Sequence, residues 1–249
     1  MIIIKRKPEK TLSDLEEYIG GLGSEPVEWI AREVQRWGAF SYSEIEELIL
    51  SGRLDAALDW QGRYATLINE VLSPLWVKAY QIAAQRASKG RIILSDSDLD
   101  MRKILSEHGG ELITNLSEES RRAIANVLLH GTEGLINPRQ LARQIRPLIG
   151  LTARQAESNM KYRAKIREEY LESGASLNHA EKMAERAAIK YASRQHRFRA
   201  ETIMNTELSF AYNHGAHDGV LRSISRGYMN RCEMVWTTAG AIRTCPRCL

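Results

Sequence analysis

The chain has 249 residues and a mass of 28.2 kDa, with 43 % hydrophobic residues, 7 % aromatics, 6 prolines, a formal charge of +4 and an isoelectric point near 9.0. That apolar content supports a true core and excludes disorder throughout, while few prolines and aromatics beside abundant Ala, Leu, Glu, Arg and Gln favour helices over a sandwich or barrel. No apolar run approaches the roughly 18 residues of a membrane span, MIIIKRKPEK is ordered wrongly for a signal peptide, and the three cysteines all fall in the last 18 positions, which excludes a disulfide framework for the bulk of the fold. The expectation is a soluble chain made in the cytosol, with reduced thiols. Its charge is polarised: Asp14 to Asp59 holds eleven carboxylates against three arginines, whereas Arg139 to Arg167 holds eight basic residues and one acid, Glu157.

In chain order, TLSDLEEYIGGLGSEPVEWIAREVQRWGAF reads as short helices separated by Gly20, Gly21 and Gly23, with Pro26 in a first helical turn. Ser41 or Ser43 is suited to cap a helix through EIEELIL that ends near Gly52. From Leu54 to about Ser88, the residues Ala65, Ile68, Leu72, Leu75, Trp76, Ala79 and Ala83 share one face of a long helix. Pro74 either kinks it or marks the meeting of two helices at Ser73 and Pro74. KGRIILSDSDLD reads as a turn with a short strand, followed by a modest helix from about Asp98 to Leu105. Ser117 is suited to cap EESRRAIANVLLHG. Two capping boxes come next: Asn137 with Pro138 and Gln140, then Thr152 with Gln155. They specify a short helix, a turn at Pro147 to Gly150, and a long helix from Ala153 to Leu171. A further long helix begins near Asn178 and extends to about Gly215. The expected fold is mainly α, an extended assembly of long helices with a small, irregular Cys-containing C-terminal tail.

Within RAETIMNTELSFAYNHGAHDG, the residues Ala200, Ile203, Met204, Ala211 and Gly215 fall on one side of the helix, and Glu207 falls among them. A carboxylate there is poorly solvated and requires a partner, for which an arginine of Arg139 to Arg167 is a candidate. Asn205 and Asn213 are candidates to clamp a neighbouring loop, and Ala211 and Gly215 permit close backbone approach. Glu207 and His214 are seven residues apart, roughly 10.5 Å along a helix, too far for a base and its hydrogen-bonded partner. His214 and His217 lack the acidic ligand spacing of a metal site. The tail carries Trp236 and then Arg243, Thr244, Cys245, Pro246 and Cys248. Cys245 and Cys248 form a Cys-x2-Cys turn able to place two thiolates on zinc, with Cys232 a third ligand. A complete zinc site, a half-site or vestigial knuckle, and a disulfide or inert thiols all fit those residues. No cofactor other than zinc is indicated.

RAETIMNTELSFAYNHG, followed by WTTAGAIRTCPRC and preceded by GLTARQAESNMKYR, resembles the Mu F-like phage head morphogenesis family, also grouped with minor capsid proteins of the SPP1 gene-7-product type. The family's motif positions correspond to Arg199, Thr206, Glu207, Ala211 and Asn213, with Gly215 and the tail's Trp236, Arg243, Thr244, Cys245 and Cys248. The resemblance covers about Ile136 to Leu249. Family members commonly carry an acidic residue before the Arg-Thr-Cys segment and a later His-Pro and cysteine cluster. Ala241 and Ile242 stand here instead and the later cluster is absent, so the expectation is a natural short form or a truncated polypeptide. The resulting division is an acidic N-terminal helical docking region, 1–90; connecting helices, 91–135; a Mu F-like helical core, 136–230; and a partial Cys-x2-Cys tail, 231–249.

The resemblance implies a low-copy, non-enzymatic structural protein of a tailed-phage head. Its expected place is the virion's portal vertex, with the portal protein or major capsid protein as partner and several copies around the ring. It implies assembly in the host cytoplasm, without a membrane, and non-specific contact with packaged double-stranded DNA during packaging or ejection. The candidate DNA-binding residues are Arg139, Arg143, Arg146, Arg154, Lys161, Arg163, Lys165 and Arg167, which suit phosphates but not base reading. Tyr162, Tyr170 and Tyr191 lack the interleaving of a single-strand stacking groove. An arginine face solvated or bridged internally is the alternative reading of these charges. An ejected internal protein with nuclease or other enzymatic activity, and an adaptor without DNA contact, are the alternative functions.

Overall fold

The computed structural model describes residues 10–60, 63, 66–108, 111–133 and 136–232. They are mainly helical, with no strand among the described residues. The helices are α1 (Lys10–Gly21), α2 (Glu25–Trp37), α3 (Tyr42–Leu50), α4 (Leu54–Ala57), α5 (Ser73–Ala87), α6 (Leu99–His108), α7 (Glu111–Glu133), α8 (Pro138–Ile145), α9 (Ala153–Glu172) and α10 (Leu177–Ser225). A π-helical segment, Ile68–Leu72, leads into α5, and a 3-10 turn, Arg146–Leu148, follows α8. The π segment stands immediately ahead of Pro74, so the proline falls in the first turn of α5, where its missing amide costs no internal bond. The chain divides into two compact units built from discontinuous segments. One comprises Met1–Ser24, Leu72–Gly109 and Asn205–Leu249; the other comprises Glu25–Val71 and Gly110–Met204.

The first unit contains α1, α5, α6 and the C-terminal part of α10. Leu72 is buried at the end of the π segment, Trp76, Ala79, Tyr80, Ala83 and Ala84 along α5, and Leu208, Ala211 and Tyr212 along α10. Gly215 and Gly219 lie where α10 meets α5: a Cβ at Gly215 would stand 2.2 Å from Tyr80 O, and one at Gly219 would stand 2.4 Å from Ala84 O. Only glycine permits that approach. The short strand expected within KGRIILSDSDLD is not formed among the described residues, and 91–95 is irregular backbone. Ile92 and Leu94 are buried while Ile93 is 77 % exposed, the alternation of a half-buried strand, with no strand to pair with among the described residues. Side chains satisfy this backbone: Ser88 Oγ accepts from Ile92 N at 2.9 Å, and Gln81 Nε2 donates to Leu94 O at 3.1 Å. At the start of α6, Asp98 accepts from Met101 N at 3.1 Å and receives a two-pronged ion pair from Arg222 at 2.8 and 2.9 Å. Burial alone would raise the Asp98 carboxyl's pKa, but the Arg222 guanidinium and the Met101 amide outweigh it and hold it below the ordinary value.

The second unit contains α2 to α4, α7 to α9 and the N-terminal part of α10. Its core includes Ile30, Val34 and Trp37 of α2, Leu116, Ile124 and Val127 of α7, and Leu141 and Ile145 of α8. Trp37 and Trp60 pack at 5.7 Å between ring centroids. Ser41 and Glu44 form the capping box that starts α3, and Thr152 and Gln155 form the one that starts α9. Asn137 caps α8 through Arg139 N rather than through a box with Gln140. Position 117, expected at the start of a helix, lies inside α7, which begins upstream by Glu111. Gly150 has φ +84, and a Cβ there would press within 2.8 Å of Val34 and 2.9 Å of the His196 ring. Its N–H donates to Ser120 Oγ at 2.9 Å. The turn after α8 therefore requires glycine on both conformational and steric grounds.

Candidate functional site

The motif-bearing α10 runs for 49 residues, longer than the sequence pattern indicated, because no proline or capped break interrupts it before Gly227, which has φ +71. In the second unit, Ala200, Ile203 and Met204 are 2–3 % exposed. In the first unit, Glu207 is 4 % exposed and Ala211 and Gly215 are buried. The apolar face read from the spacing is therefore the buried face, and Glu207 lies within it and is not without a partner. Arg199 is 8 % exposed and forms an ion pair with Glu119 of α7, so the motif arginine ties two helices of its unit together. Asn205, Thr206 and Asn213 are exposed on the opposite arc, and neither asparagine clamps a loop among the described residues. Gly215 makes the close approach expected of it. The His214 ring packs on Phe210 at 4.4 Å between centroids, and His217 is exposed.

The seam between α9 and α10 carries a buried amide network. Asn159 donates to Ala188 O at 3.1 Å and to Gln195 Oε1 at 3.0 Å, and Gln195 donates to Gln155 O at 2.9 Å. Ala180, Ala184, Ala188 and Ala192 are buried beside it, their four-residue spacing giving a narrow small-residue stripe. His196 is 7 % exposed, and its Nδ1 has no hydrogen-bond partner among the described residues. Burial, helped by the positive charge of Arg199, pulls its pKa down to about 4, so the imidazole is neutral near pH 7. Nothing in the sequence around His196 separates it from a surface histidine; only packing does.

Much of the basic stretch proposed from sequence is engaged within the unit. Arg163 and Arg167 both reach Glu181 of α10, at 3.2 and 2.6 Å. Lys161 pairs with Glu157 at 2.6 Å and Lys165 with Glu169 at 3.7 Å, both exposed pairs along α9. The Arg146 guanidinium lies 4.5 Å from the centre of the Tyr42 ring, and the Tyr42 hydroxyl donates to Glu185. Arg139 and Arg154 are exposed, Arg143 is half-buried, and none of the three has an ion pair among the described residues. A second set of cations lies on α10, outside the Arg139–Arg167 stretch. Lys182, Arg186, Lys190, Arg194 and Arg197 are all exposed on α10. At about 100° per residue they share one arc, opposite the alanine stripe. Their spacings of four, four, four and three residues were the available signal.

Trp236, Arg243, Thr244, Cys245 and Cys248 lie outside the described residues, as does any zinc site they complete; Cys232 is described and exposed. Among the described residues, no group of three or more His, Cys, Asp or Glu side chains is placed to hold a metal ion. No described helix is long and apolar enough to cross a membrane. No protein-family model, curated protein or solved structure matches the chain.

Proposed function

We propose that the chain is a non-catalytic minor component of a tailed-phage head. In this reading it is seated at or near the portal in several copies and touches packaged double-stranded DNA through phosphates without reading sequence. The resemblance of three ordered segments to head morphogenesis proteins supplies the family. The observation that carries the reading is the burial of Ala200, Ile203, Met204, Glu207, Ala211 and Gly215, which makes the motif a packing element of a long helix. Its residues are spent on helix contacts, and its polar members Thr206 and Asn213 stand outside. Such a rod is suited to presenting interfaces to a ring of neighbours, where closed symmetry repeats one contact many times.

Co-expression with the portal protein of the same particle tests the seat. A portal ring carrying several bound copies, counted by native mass spectrometry, is the expected result. A chain that binds neither portal nor capsid shell, or that nicks DNA with a divalent metal, overturns the proposal. A second reading, an adaptor without DNA contact, is favoured by the internal engagement of Arg163 and Arg167 with Glu181. Duplex binding that weakens steeply with added salt selects the first reading; no binding at low salt selects the second.

A further inference from the structure

We infer that the nucleic-acid contact is made by the exposed cationic ladder of α10, centred on Lys182, Arg186, Lys190 and Arg194, rather than by the Arg139–Arg167 stretch. This rests on the reading that the protein touches DNA at all. All four side chains are exposed, and none has an ion pair among the described residues. The acids nearest in sequence are turned elsewhere: Glu181 takes Arg163 and Arg167, and Glu185 takes the Tyr42 hydroxyl. The same arc continues to Arg197, which shares an exposed pair with Glu28 at 3.7 Å, and only at Glu201 does an acid fall on it.

The geometry fits a duplex better than a protein patch. From Lys182 to Arg197 the arc extends about 22 Å along a straight helix at roughly 1.5 Å per residue. Duplex DNA presents a charge every ~1.7 Å of its axis, so a straight row of cations meets phosphates at any register. The row lacks the aromatic anchors of a protein-binding hot spot: besides its cations, the arc carries His179, the half-buried Met183 and Ser193, with Ile189 at its edge. Arginine and lysine alternate, and neither a helix N-terminus nor a groove-shaped element directs them at base edges. The contact is therefore electrostatic and independent of sequence.

The test measures the affinity of the full chain for duplexes of two unrelated sequences over a salt series. Three proteins are compared: wild type; Lys182→Gln, Arg186→Gln, Lys190→Gln and Arg194→Gln combined; and a control of equal charge loss, Arg32→Gln, Lys78→Gln, Lys89→Gln and Arg226→Gln combined. Circular dichroism and the unfolding midpoint verify that both variants are folded. Loss of four phosphate contacts lowers the slope of log affinity against log salt by about 3.6. Between about 50 and about 200 mM salt, wild type then loses roughly a hundredfold more affinity than the ladder variant, while the control behaves as wild type. If wild type binds and the ladder variant keeps its slope, or both variants lose equally, this inference is wrong while DNA contact stands. If wild type fails to bind duplexes at low salt, DNA contact itself falls. Ladder-dependent binding to poly-glutamate that matches duplex binding assigns the face to an acidic protein and overturns the inference.

Discussion

The two parts of α10 are packed by different means. In the second unit its alanine stripe lies against α9 with an amide network along the seam; in the first unit two glycines admit the backbone of α5. Alanine contacts tolerate small shifts and do not fix register, so Asn159, Gln155 and Gln195 supply the directional bonds that do. Glycine contacts need no such bonds, because at 2.2 Å to a carbonyl oxygen a single added methyl has nowhere to go. One seam is therefore specified by polar chemistry and the other by the absence of side chains.

The strongest way to break this comparison is Gly215→Ala, whose methyl would face backbone atoms of Tyr80. The expected loss is about 3 kcal/mol or more, read as faster hydrogen exchange in 73–87 and 205–225 and a lower unfolding midpoint. Gly20→Ala is the counter-case, since a Cβ there meets nothing within 4 Å; it is expected to raise stability by up to about 1 kcal/mol. Wild-type behaviour of Gly215→Ala would show that the helices do not approach so closely.

Acid distinguishes the units next. The folded-state pKa of His196 lies below its ordinary value, so the unfolded chain takes up the proton first. Stability of the second unit is then fully present above about pH 6.5, falls as pH drops toward about 4, and levels below it. The expected loss across that window is about 3 kcal/mol. Asp98 in the first unit has the opposite chemistry and a different window: its carboxylate is held low, and its contribution is lost only as pH falls below 3.8. Hydrogen exchange followed from pH 7 to 4 should loosen the second unit first, and His196→Leu should flatten that response. Simultaneous loosening of both units would contradict this assignment.

The smallest of the expected losses sharpens the polar seam. Asn159→Leu leaves Ala188 O and the Gln195 side chain without their buried donor, at an expected cost of about 2 kcal/mol. The loss should appear in exchange of 153–172 and of 177–204, with the α5 crossing unchanged. An unaltered midpoint would mean that the alanine stripe alone holds the seam.

Local signals in the chain determined most helix starts and one helix face. Ser41 with Glu44 and Thr152 with Gln155 are short-range hydrogen-bonding devices, so their capping was readable from spacing. The buried arc from Ala200 to Gly215 was readable for the same reason, as helical periodicity reports which side chains share a face. What it does not report is the partner of that face. Burial of His196, the clash surface at Gly150 and the approach of Gly215 to Tyr80 depend on residues dozens of positions away. The irregular segment at 91–95, which pairs with no strand among the described residues, belongs to the same class, since alternation marks a half-buried strand whether or not a second strand lies beside it. Charge divides in the same way: the sequence located cations at Arg139–Arg167, but tertiary packing turned Glu181 onto two of them and left the α10 arc open. Composition along a chain counts charges, and only the fold decides which of them are already neutralised.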